Sequence, residues 1–142
     1  MPQLAPAPPT APVKTAVWDL PTRLFHWALV ALIAFSWWSA ESAELKLHIY
    51  SGFAIMTLLL FRLLWGLFGS STARFRNFVK GPAAVVAYLR DPRGWRGVGH
   101  TPLGALSVVA LLGLTALQVA TGLLNSDDEG LNEGPLAGLV PK

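Results

Sequence analysis

Cysteine is absent from all 142 residues. Its absence removes disulfides, iron–sulfur ligation, thiolate zinc sites and thioether attachment of a prosthetic group. Charge is also scarce. Charged residues make up 13% of the chain, against about a quarter in soluble domains. The first 17 residues hold five prolines and no apolar core of a cleavable leader. No Ser-His-Asp grouping, phosphate loop or pair of carboxylates within an apolar run occurs, so the sequence offers no hydrolytic machinery. Asp127-Asp128-Glu129 is too irregular for an EF-hand loop.

Apolar residues and tryptophan are abundant instead. Apolar side chains make up 53% of the sequence, with six Trp, and the mean hydropathy is +0.47. Three apolar runs, 24–40, 47–68 and 103–124, are long enough to cross a bilayer as helices. The fold class expected is all-α, an integral membrane helical bundle. Residues 1–15 form a Pro/Ala-rich tail, extended or disordered, and 16–142 form one membrane domain. Asp19 and Pro21 suit the first turn of the first helix. Within the loop 69–100, Pro82 to Leu89 reads as a short helix with Val85, Val86 and Leu89 on one face, lying in the interface. Gly113, Ala116 and Ala120 give the third span a small-residue face for close helix contact.

Charge placement predicts orientation. The 69–100 loop carries Arg74, Arg76, Lys80, Arg90, Arg93 and Arg96 against Asp91 alone. The 41–46 turn carries Glu41, Glu44 and Lys46, and the 125–134 segment carries Asp127, Asp128, Glu129 and Glu133. The positive-inside rule puts the N-terminus and the basic loop in the cytoplasm. Trp37, Trp38 and Tyr50 then form an outer aromatic belt, and Trp27 and Trp65 an inner one. The six cations lie between two apolar spans, which favours anionic lipid headgroups over nucleic acid as their partner.

Three histidines remain. His26 lies one turn inside the first run and His48 opens the second. Measured from the span midpoints at 1.5 Å per residue, they lie on opposite sides of the bilayer centre, about 25 Å apart. They cannot share a metal, but each can supply one axial ligand to its own haem. Gly52, one helical turn after His48, leaves room for a flat macrocycle. The plainer reading is that each histidine hydrogen-bonds a neighbouring helix or sits at the interface. Arg62, the one formal charge in the second run, either snorkels to headgroups or neutralises a haem propionate on the His26 side, a task Arg23 can share. His100, beside Pro102, reads as a loop or cap residue, with quinone or propionate contact as its minor reading.

These motifs resemble a known family. Val17-Trp-Asp-Leu-Pro-Thr-Arg-Leu-Phe-His-Trp27, His48-Ile-Tyr-Ser-Gly52, Phe61-Arg-Leu-Leu-Trp-Gly66 and Gly99-His-Thr-Pro-Leu-Gly104 resemble stretches of the bacterial cytochrome b561 family. That family includes the cytochrome b subunit of nickel–iron hydrogenases. Asn is more usual there at the position of Thr101. Asp127 to Gly138 resembles the loop before a fourth helix. The resemblance implies a four-helix bundle in the bacterial inner membrane holding two b haems. His26 and His48 match the ligands of the first two helices. The partner ligands come from the fourth, as two histidines about 14 residues apart. Only three spans are present here, so the chain reads as lacking the fourth helix, as a fragment or truncated product.

The function expected is haem b electron transfer between a redox partner and the quinone pool, as a subunit rather than a stand-alone enzyme. A hydrogenase or cytochrome c type protein would be the redox partner, and a second copy of the chain a further one. The alternatives are a superoxide-oxidising quinone reductase and a haem-free membrane anchor. The acidic outer segments argue against the first of these, which needs a cationic funnel.

Overall fold

The structure is a computed structural model that describes residues 18–97, 99–125 and 133–139. The N-terminal tail and the Asp127–Glu129 cluster lie outside them. The described residues form helices and turns, with no strand among them.

Three helices are long and apolar enough to span a bilayer: α1 (Leu20–Glu41), α2 (Leu45–Phe68) and, after two short ones, α5 (Pro102–Leu124). At 22 to 24 residues each, they reach about 33–36 Å, enough for a hydrocarbon core of about 30 Å. The spans fall where the apolar runs predict, extended by capped first turns. Asp19 caps α1, accepting from the Thr22 amide at 2.9 Å, and Pro21 lies in the first turn. Thr101 caps α5, its hydroxyl accepting from the Gly104 amide at 3.1 Å. The cap role considered for His100 therefore belongs to its neighbour. Between the spans lie α3 (Phe75–Phe78) and α4 (Pro82–Arg90). In α4, Val85 is half-buried, whereas Val86 and Leu89 are exposed.

The central element is α2. It packs along α1 for most of its length and touches α5 more sparsely. Small side chains allow the close α1–α2 approach: Ser39 and Ser51 are buried at the contact. Their hydroxyls are satisfied locally, by the Ser36 carbonyl at 2.9 Å and the His48 carbonyl at 2.7 Å. A three-residue turn joins the two helices, with Ala43 at φ 56°. The antiparallel register holds from end to end. Trp65 meets Asp19 at one end and His48 meets Ser36 at the other.

Among the described residues, no helix packs closely on the small-residue face of α5. Gly113, Ala116 and Ala120 are exposed, and a Cβ added to Gly113 would meet nothing within 4 Å. Only Pro102 and Ala105 of α5 are buried. The expectation of close contact on that face is not met among the described residues: Gly113 and Ala116 line a cavity of about 640 Å³ that separates them from Leu59 and Leu63 of α2.

Candidate functional site

With α1 and α5 both leaning on α2 and hardly on each other, a cleft opens between them. It has a volume of about 550 Å³ and is mostly apolar. Its walls include Ile33, Ser36 and Trp37 from α1, and Leu114 and Gln118 from α5. His48 and Gly52 line its α2 side. A second, more polar cavity of about 410 Å³ continues toward the helix ends, past Ser39, Asn125 and Glu133. We call this the acidic end, after Glu41, Glu44 and Glu133, and the opposite end the basic end.

His48 is half-buried in this wall. Its Nδ1 lies 2.9 Å from the Ser36 carbonyl oxygen and 3.2 Å from the Ser36 hydroxyl. A carbonyl oxygen only accepts, so Nδ1 carries the proton in the neutral ring. The lone pair is then on Nε2, which has no hydrogen-bond partner among the described residues. A second-shell carbonyl on one ring nitrogen is how ligating histidines are commonly oriented and made more basic. His48 thus bonds the neighbouring helix, and that bond leaves Nε2 free among the described residues. One turn on, a Cβ built on Gly52 would meet nothing within 4 Å. The space beside His48 is open to a flat group.

His26 is exposed, on the same face of α1 as Ile33 and Trp37, seven and eleven residues further on. Its ring meets that of Trp27 edge-on at 5.4 Å. No described residue hydrogen-bonds its side chain. The separation of the two histidines needs correction. The bond to Ser36 sets His48 level with a residue ten positions after His26, an axial offset of about 15 Å rather than 25 Å. Midpoint counting failed because the short 42–44 turn sets the register, and the two span centres are not level. The revised offset is still too long for one shared metal. It also falls about 6 Å short of the rise spanned by 14 helical residues.

Arg62 does not snorkel. It is 3% exposed. Its guanidinium lies 4.7 Å above the Phe75 ring and donates to the Ala73 carbonyl at 3.2 Å. Gly66 makes this possible, since a Cβ there would overlap the Phe75 ring. In the α1–α2 register, Arg62 stands about one turn from the level of His26, toward the basic end. Arg23 is exposed and its side chain has no hydrogen bond among the described residues.

The basic end is closed by a polar and aromatic cluster. Asp19 Oδ2 accepts from the Trp65 indole at 2.9 Å and from the Ser70 hydroxyl at 2.5 Å. Burial alone would raise the Asp19 carboxyl. Hydrogen bonds from Ser70, Thr22 and Trp65 outweigh it and bring the pKa down to about 2. Trp65 is thus half-buried in the cluster, whereas Trp27, Trp37, Trp38 and Tyr50 are exposed. His100 stacks on Trp18 at 5.2 Å and lies 4.8 Å from Phe78. Burial, then the nearby Arg62 charge, lowers its pKa.

With this geometry in view, a sequence profile for prokaryotic cytochrome b561 matches residues 17–138. The chain belongs to the prokaryotic cytochrome b561 family. No curated protein and no solved structure matches it. Cytochrome b561 membership carries haem b, electron transport and association with lipid, and the three apolar helices agree with a membrane protein. A haem b fits the residues present at His48, an imidazole with its Nε2 unpaired among the described residues, lining an open apolar cleft beside a glycine.

In the sequence, Ser36 is marked only as a polar residue in an apolar run, which does not show it as the anchor of His48. Gln118, a carboxamide within α5, carries the same kind of signal.

Proposed function

We propose that this cytochrome b561 chain carries electrons across the bacterial inner membrane between a redox partner and quinone, using two haem sites. His48 ligates at the acidic end and His26 at the basic end. When bound, haem b supplies a one-electron iron couple. The chain's own part is to hold, orient and shield. Ser36 fixes the tautomer and ring plane of His48. Gly52 keeps the approach clear. Apolar walls keep water away and so influence the potential. Near the His26 level, Arg62 is a buried cation, suited with Arg23 to a propionate at that end.

The remaining axial ligands would come from a fourth helix, in a further segment or another chain, laid on the open face between α1 and α5. The charge asymmetry supports a cytoplasmic N-terminus. The acidic end then faces the periplasm, where a hydrogenase or cytochrome c type partner would dock, with a second copy of the chain as a further candidate neighbour. The acidic surface disfavours capture of superoxide there.

The observation that carries this reading is the Ser36–His48 bond with Nε2 left free in the cleft. Its test is chemical rescue. His48→Gly should lower haem occupancy of the full chain in lipid, and added imidazole should restore it. Occupancy unchanged in His48→Gly would overturn the assignment.

A further inference from the structure

Among the described residues, the polar side chains lining the His48 cleft are few. Ser36 is engaged with His48, and the Thr115 hydroxyl donates to its own helix at the Leu111 carbonyl. Gln118 differs. Its carboxamide has no hydrogen-bond partner among the described residues, although it lines both the apolar cleft and the polar cavity beyond it. An unpaired amide inside a membrane span is costly, so such a group finds its partner in whatever fills the space.

The surroundings specify that partner. The apolar cleft suits the body of a macrocycle, and the polar cavity suits its carboxylate edge. Gln118 stands at the junction. Among the described residues no Arg or Lys lines either cavity, and Glu133 lines the outer one. A carboxylate placed here has no cation to meet and a like charge nearby. It therefore depends on a neutral donor, and Gln118 supplies two N–H groups. From these observations, and resting on the haem reading of His48, we infer that the Gln118 carboxamide donates a hydrogen bond to a propionate of the haem held at His48. Gln118 is a positioning residue that fixes the rotation of the macrocycle about the His48 bond and retains its charged edge at the acidic end.

The test compares haem b with its dimethyl ester, in which both carboxylates are masked. Each is titrated spectroscopically into the full chain in phosphatidylcholine nanodiscs. A His26→Ala background leaves only the His48 site. Gln118→Met keeps length and helix propensity but removes the donor. It should weaken haem b binding about tenfold, the scale of a hydrogen bond to a charged group. Affinity for the ester should stay within about twofold, since the interaction is already weakened there. Ser107→Ala, on the same helix but lining neither cavity, should change neither. An equal loss for both ligands, or no loss for either, overturns the role of Gln118. If the parent binds neither ligand, the haem reading of His48 falls as well.

Discussion

Asp19 and Trp65 are joined across the basic end by a 2.9 Å hydrogen bond, in the same α1–α2 register as Ser36 and His48. Seventeen residues separate Asp19 from Ser36 on α1, and seventeen separate His48 from Trp65 on α2. One contact ties the cap of α1 to the last turns of α2, and the other aims the candidate ligand. A register slip would lose both.

The Asp19 contact makes stability acid-sensitive in a defined window. Its folded pKa of about 2 lies below the ordinary 3.8. The contribution is complete above about pH 4 and is lost as pH falls through about 2. Allowing for solvent screening, it is worth about 1–2 kcal/mol. Thermal unfolding in detergent should show this loss in the parent. Asp19→Asn should be less stable at neutral pH and flat over that range. An equally steep acid limb in the variant would place the sensitivity elsewhere.

Gly66 is required by the ring of Phe75. Gly66→Ala should destabilise the fold by about 1–3 kcal/mol, the range for overpacking a filled contact. Gly113→Ala, where a Cβ meets open space, should be neutral or slightly stabilising through helix propensity. Melting temperatures of the two variants check the contrast.

His100 adds a second pH dependence of known sign. Its folded pKa is below 6.5, so the unfolded chain takes up the proton first. Stability is complete above about pH 6.5 and falls as the solution is acidified below it. His100→Phe keeps an aromatic ring between Trp18 and Phe78 and should flatten the stability curve there. A slope unchanged in the variant would contradict the assignment.

Much of this architecture was legible in the chain. Apolar runs and charge scarcity marked the three spans. Asp19, Pro21 and the first-turn prolines Pro82 and Pro102 mark helix starts. His48 and Gly52 stood out as a histidine and a glycine one turn apart. The missing parts were all tertiary. The level of His48 against α1 depends on a three-residue turn, so the histidine separation was overestimated. That Arg62 is buried rather than at the headgroups is not legible, because nothing in sequence shows that Gly66 admits Phe75 over it. Nor is the Trp65–Asp19 bond, whose partners are 46 residues apart.

The most direct measurement is the reduced-minus-oxidised visible spectrum of the full chain, loaded with haem in lipid, beside His48→Ala and His26→Ala. Two separate sites predict a b-type α-band in the parent, with each replacement removing a different component. No α-band in the haem-supplied parent, or the loss of both components from one replacement in a chain that remains folded, would contradict it.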